Sequence, residues 1–111
     1  LDTDGFATFD AKWTTEALSN IVDNAIKYTT HGTITISAVS YEIFARIDIS
    51  DSGPGIPESE QAKIFTRFYR AKAVHGIGLY LSRQIISGEG GYIKVTSAPG
   101  KGSTFSVFLP L

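Results

Sequence analysis

Thr33-Ile34-Thr35-Ile36-Ser37-Ala38-Val39-Ser40-Tyr41-Glu42-Ile43-Phe44-Ala45-Arg46-Ile47-Asp48-Ile49-Ser50-Asp51 carries two successive period-two alternations. Up to Val39 the apolar residues largely take alternate positions, and Ile43, Ala45, Ile47 and Ile49 repeat the pattern. Such alternation gives a half-buried strand one apolar face. A reversal about Ser40-Tyr41-Glu42 joins the two as a hairpin. The second strand runs into Asp51-Ser52-Gly53-Pro54-Gly55-Ile56-Pro57, which fits neither the strand nor the helix period and is therefore a loop.

Upstream, Ala17, Leu18, Ile21, Val22, Ala25 and Ile26 recur at helical spacing between Trp13 and about Tyr28. Asp10 or Thr14 is the expected cap, with Glu16 in the first turn, and Phe6-Ala7-Thr8-Phe9 is a short strand candidate before it. Thr29-Thr30-His31-Gly32 ends this helix, Gly32 supplying a left-handed turn. Downstream, Glu58 to Phe65 reads as a short helix and Gly78 to Ile86 as a longer one, stopped by Gly88, Gly90 and Gly91. Strands follow at Tyr92 to Ser97 and Ser103 to Leu109, with a turn at Pro99-Gly100-Lys101-Gly102. This order predicts an α+β fold, a two-layer sandwich of one sheet with helices on one face.

A length of 111 residues suits one domain with a real core. A net charge of −1 gives no broad attraction to nucleic acid or anionic lipid, so any bound anion must be gripped locally. The chain has no cysteine, which excludes disulfides and thiolate metal sites and suits a reducing compartment. Its apolar runs fall far short of the ~20 residues of a membrane span. No signal peptide is recognised, and the opening at Leu1-Asp2-Thr3 is expected to be a cut within a larger protein.

Four segments carry candidate chemistry. Asn20, Asn24 and Lys27 are spaced i, i+4, i+7 and share a helix face. Two amides and an ammonium suit a Mg-nucleotide, because Mg2+ takes a few oxygen ligands together with water and phosphate; a solvated helix face accounts for the stripe as simply. Asp51 is in phase with Ile43, Ala45, Ile47 and Ile49, so it points into the apolar layer and needs a partner, for which an adenine amino group is a suitable donor. Gly53 and Gly55 then permit close approach of a flat ring, although Asp-Ser-Gly-Pro-Gly is also an ordinary turn. Gly76-Ile77-Gly78-Leu79 opens a helix, where free N–H groups favour phosphate oxygens. It follows no βαβ strand and lacks a Gly-Lys-Ser/Thr ending, which disfavours Rossmann and Walker readings. Finally, Ser103 shares parity with Phe105, Val107 and Leu109 and should face inward beside the pocket, though the glycines at 100 and 102 also fit a plain β-turn.

In this order the segments resemble the catalytic domain of bacterial sensor histidine kinases, within the superfamily shared with DNA gyrase, heat-shock chaperones and mismatch-repair ATPases. Asn20 to Thr29 resembles the family's N box and Asp51 to Ile56 its first glycine box. Ile64-Phe65 with Phe68-Tyr69-Arg70 resembles the F box, Gly76 to Leu81 the second glycine box, and Gly100 to Phe105, ending in Leu109-Pro110, the last glycine box. The resemblance covers about Asp10 to the C-terminus. It implies the Bergerat-type ATP-binding fold with a mixed sheet, and a catalytic domain separated from its dimerisation and histidine phosphotransfer domain.

The resemblance also implies roles at matching positions. Asn24 would coordinate Mg2+, Asn20 would position the metal or phosphates, and Lys27 would contact phosphate; Asn20 and Lys27 are the expected catalytic pair. Tyr28 would border the base or sugar. Asp51 would accept from the adenine amino group, supported by Ser103, with Gly53, Gly55 and Ile56 forming the adenine wall. Gly76, Gly78 and Leu79 would meet the phosphates, and Phe65 and Phe68 are either lid anchors or core aromatics. Arg70 would reach phosphate or the partner domain, or simply solvent.

Superfamily members that hydrolyse ATP place Glu where Asn20 stands, as a general base; an amide cannot take that proton. Transfer to a neutral imidazole needs no such base. His31 and His75 lack the helical His-Glu/Asp context of a phosphoacceptor, so the acceptor is expected on a separate domain. Only Ala71 to His75 separates the F box from Gly76, a shorter lid than the family usually carries. The partners implied are ATP, the phosphoacceptor domain and a response regulator, with no nucleic acid. The domain is expected to be cytoplasmic and monomeric, in a homodimeric parent that can be anchored in the inner membrane. Two other readings stand beside this one: a degenerate nucleotide-binding or docking module, and a gyrase- or chaperone-type ATPase.

Overall fold

The structure, a computed structural model, describes residues 11–29, 31–66 and 76–111. The strand expected at Phe6–Phe9, the cap at Asp10, Phe68 to Arg70 and the short lid at Ala71 to His75 lie outside the described residues. The elements run α1 (Ala11–Tyr28), β1 (Ile34–Tyr41), β2 (Phe44–Asp51), α2 (Glu58–Gln61), α3 (Gly76–Gly88), β3 (Tyr92–Ser97) and β4 (Ser103–Pro110).

Helix α1 turns Ala17, Ile21 and Ala25, spaced four apart, fully inward. Thr14 does not cap it. The helix already begins at Ala11, and buried Thr14 instead donates its hydroxyl to the Glu89 carboxylate, 2.6 and 2.8 Å from its two oxygens. Glu16 accordingly falls outside the first turn. Helix α2 is a single turn, shorter than expected, and the chain from Ala62 to Phe65 continues as turns. Helix α3 ends in a Schellman motif: Gly90 takes φ 84°, its N–H bonds Ser87 O, and Gly91 N–H reaches back to Ile86 O.

The strands form one sheet in the order β1-β2-β4-β3, and each of the three described pairings is antiparallel. β1 and β2 form the expected hairpin, but its turn falls at Glu42-Ile43, with Glu42 at φ 53°, because Ser40 and Tyr41 continue β1. Ile43 falls in this turn, 71% exposed, and so drops out of the alternation. One face buries Ala45 and Ile49 of β2 with Phe105, Val107 and Leu109 of β4. Helices α1 and α3 pack against each other over this face, α1 on β2 and α3 on β3 and β4, giving the two-layer α/β sandwich with helices on one side. A buried hydroxyl ties the helices together, Ser82 Oγ donating to Ala17 O at 2.8 Å.

Two residues depart from simple alternation. Ile36 pairs with buried Ile49 yet is 57% exposed, because β1 is the edge of the described sheet, beyond the strand on which α1 rests. Phe108 points to the face opposite the helices yet is buried, because Tyr92 stacks on it at 4.2 Å and Tyr41 and Phe44 meet it edge-on. Among the described residues no helix is long and apolar enough to cross a membrane.

Candidate functional site

At one end of the sheet, the face covered by helices changes from apolar to polar. Asp51, Ser103 and Ser97 stand in one cross-strand row, Asp51 opposite Ser103 and Ser103 opposite Ser97. Asp51 and Ser103 are buried, at 8% and 7% exposure, so strand parity places both as the sequence predicts. Asp51 Oδ1 accepts the Gly53 N–H at 2.9 Å, which folds the glycine loop back over the strand end. Among the described residues its second oxygen takes no hydrogen bond.

The loop after Asp51 is held by the β3–β4 turn. Gly100 N–H bonds Pro54 O at 2.7 Å, and a Cβ on Gly55, at φ 81°, would overlap the Ala98 carbonyl. Ile56 is a core residue at 2% exposure, so it shapes the loop from beneath. Its N–H donates to Ser97 Oγ at 2.7 Å, while Gln61 Nε2 donates to both Ile56 O and Ser97 O. Gly102 belongs to the same contact, since a Cβ there would overlap the Asp51 carbonyl. Sequence reasoning missed Ser97 and Gln61. The parity of Ile93, Val95 and Ser97 carried the signal for the first; Gln61 acts on groups 5 and 36 residues away and left none.

The helix side of the site comes from the second half of α1. Asn24 is buried at 5% exposure, between Ile21 and Ala25 on the inward face, and its Nδ2 has no hydrogen-bond partner among the described residues. Rotation of the amide exchanges Nδ2 for Oδ1, so the same position can offer a metal-ligating oxygen. Asn20 is half-buried and Lys27 exposed, so the three residues run from interior to rim. Tyr28 closes the helix.

The end of α1 also lies beside the end of β2. A Cβ on Gly32, which takes φ 144°, would meet Ser52 Oγ and Thr29 Cγ2, and Ser52 exchanges hydrogen bonds with Thr33. Thr29 Oγ1 is a second buried polar atom without a partner among the described residues.

The remaining candidates divide. Gly76 and Gly78 lie in the first turn of α3, where main-chain N–H groups have no partner within the helix itself. Leu79 is a core residue at 1% exposure, so any phosphate contact it makes belongs to its main chain. Phe65 is a core aromatic, buried edge-on against Phe105 at 6.1 Å with the Arg83 guanidinium over its ring at 5.8 Å. His31 is exposed in the turn before β1. Among the described residues no group of three His, Cys, Asp and Glu side chains could hold a metal ion.

Comparisons with known proteins give the family and the fold. The family model described as "Histidine kinase-, DNA gyrase B-, and HSP90-like ATPase" matches residues 9–111. The adaptive-response sensory kinase SasA of Synechocystis is 41% identical over 103 residues, and the aerobic respiration control sensor protein ArcB of Escherichia coli is 40% identical over 102. These alignments take in 86% and 83% of this chain but only 27% and 13% of the relatives, so the chain spans about a quarter or less of their length. Among solved structures, the mycobacterial sensor histidine kinase MprB superposes with TM-score 0.83 at 30% identity, over 91% of this chain and 72% of that one. Full-length ShkA in complex with AMPPNP gives 0.85 at 27% identity, over 95% and 23%. With the family model matching residues 9–111 and relatives about 40% identical over most of its length, the chain belongs to the histidine kinase-, DNA gyrase B- and HSP90-like ATPase family.

Proposed function

We propose that the chain binds Mg-ATP and presents the γ-phosphoryl group to a histidine on a separate phosphoacceptor domain of its parent protein, a two-component sensor kinase that passes the phosphoryl group to a response regulator. The observation that carries this reading is the buried Asn24 amide, one atom of which has no partner among the described residues, on the helix packed over the strand that ends in Asp51. A folded core retains such an amide against its desolvation when a ligand satisfies it. Full-length ShkA in complex with AMPPNP shares the fold, which supports a nucleotide as that ligand.

In this reading Asn24 holds Mg2+ through its amide oxygen and Asn20 orients the metal–phosphate group. Lys27, exposed at the rim, contacts phosphate, and Tyr28 borders the base or sugar. The main-chain N–H groups at Gly76, Gly78 and Leu79 add donors for the phosphates. Asp51 accepts from the adenine amino group through its free oxygen, with Ser103 beside it and Gly53, Gly55 and Ile56 as the wall. When bound, Mg2+ supplies neutralisation of phosphate charge; the residues supply position. Asn20 offers no base for water, which favours an imidazole acceptor over hydrolysis.

The test is transfer in trans. With Mg-ATP labelled at the γ-phosphate, the chain should label a separate helical hairpin carrying an acceptor histidine, remain unlabelled itself, and turn over little ATP alone. ATP binding without transfer to the hairpin would make it a docking module. Appreciable hydrolysis by the chain alone would place it with the ATPases.

A further inference from the structure

Ser97 has a saturated hydroxyl. Its single proton goes to Gly102 O at 2.7 Å, and it accepts the Ile56 N–H at 2.7 Å. A third contact, to Ser103 Oγ, measures 2.9 Å. A hydroxyl has one proton to give, an amide N–H only donates and a carbonyl only accepts. If Ser97 donated to Ser103 instead, the carbonyl of buried Gly102 would be left without its donor. The proton between the two serines therefore belongs to Ser103 and points at Ser97. Ser103 can then offer only lone pairs to whatever lies beside it. Its cross-strand neighbour Asp51 likewise offers only a carboxylate oxygen. The polar row thus presents acceptors and no donor.

We infer that Ser97, by fixing the direction of the Ser103 hydroxyl, sets the site's preference for a purine with a 6-amino donor over one with a 6-oxo acceptor. This rests on the reading of Asp51 and Ser103 as the base-reading edge. Ser97 is a positioning residue here; it acts through Ser103 and need not touch the nucleotide. Removing its hydroxyl frees Ser103 to rotate and donate to a 6-oxo group. Discrimination then falls to the share that the carboxylate, still in place, supplies alone.

The experiment is calorimetric titration of the chain with Mg-ATP and with Mg-inosine triphosphate, read as the ratio of the two Kd values. Ser97→Ala and Ser97→Cys should each lower the ratio about three- to tenfold, the range of one hydrogen bond. Ser97→Thr, which keeps the hydroxyl, should preserve it. The cysteine variant holds the volume with a weakly bonding thiol, so an answer survives if the alanine variant misfolds. Equal weakening of both nucleotides in the Ala and Cys variants would reduce Ser97 to a brace for the loop and overturn the inference. So would a Thr variant that loses the ratio. Asp51→Asn separates the two levels: an unchanged ratio there sinks the base-reading assignment itself, whereas a collapsed ratio beside an unchanged one for the Ser97 variants sinks only the role of Ser97.

Discussion

Asn24 sits at 5% exposure among apolar neighbours, with an amide atom that has no partner among the described residues, an arrangement that destabilises a fold by about 1–3 kcal/mol. Asn24→Leu replaces the amide with an apolar group of similar size. We expect it to raise the urea-unfolding free energy of the ligand-free chain by about 1 kcal/mol while abolishing Mg-dependent ATP binding. A variant that loses stability instead would mean the amide is satisfied without ligand. Asp51→Asn tests the other side of the site, since it substitutes a donor-bearing amide for the acceptor assigned to the adenine amino group. ATP should bind about tenfold or more weakly by titration, and wild-type affinity would remove Asp51 from base recognition. The two residues differ in how far the sequence disclosed them. Asp51 was legible because a strand's period of two fixes its direction. Asn24 was legible as polar, but its burial was not, since the stripe it shares runs outward to an exposed Lys27.

Elements meet at the site through the β3–β4 turn, and its two glycines separate backbone conformation from contact. Gly100 and Gly102 have nearly the same φ, 77° and 76°, but a Cβ on Gly100 meets nothing within 4 Å whereas one on Gly102 overlaps the Asp51 carbonyl. Gly100→Ala should destabilise by about 1–2 kcal/mol, the penalty of the left-handed region alone. Gly102→Ala should exceed that by a further 1 kcal/mol or so and also weaken ATP binding, because β4 must move away from Asp51 to admit the methyl group. Denaturant melts of the two variants check the difference, and equal losses would show that the close approach is unimportant. At this scale the four described strands, the two long helices and the helix-on-one-face architecture were readable, since each rests on a local period. The exposure of Ile36, the burial of Phe108 and the tie from Thr14 to Glu89 were not. Each depends on a partner brought up by topology, 75 residues away for Thr14 and in the neighbouring strands for the others.

Across the whole molecule the sheet carries its two specialisations at opposite ends. β2 begins at Phe44, inside the aromatic cluster with Tyr92 and Phe108, and finishes at Asp51, so about 23 Å of extended chain lies between them. The cluster is on the face away from the helices and the polar row is on the face toward them, so the two share no side-chain contact through the sheet. Phe108 has three ring contacts, one of them stacked at 4.2 Å, and Phe108→Leu forfeits all of them at modest change in volume. It should lower the unfolding free energy by about 1–3 kcal/mol. Sites this far apart without common partners act additively. ATP affinity measured below the melting transition should therefore remain within about twofold of wild type, and the stability losses of Phe108→Leu and Asp51→Asn should sum in the double variant to within about 0.5 kcal/mol. Non-additive melts, or a tenfold change in ATP affinity from Phe108→Leu alone, would mean that the sheet transmits strain from its aromatic end to its nucleotide end. The outer aromatic cluster would then have to be treated as part of the binding apparatus and not only as a support for the sheet.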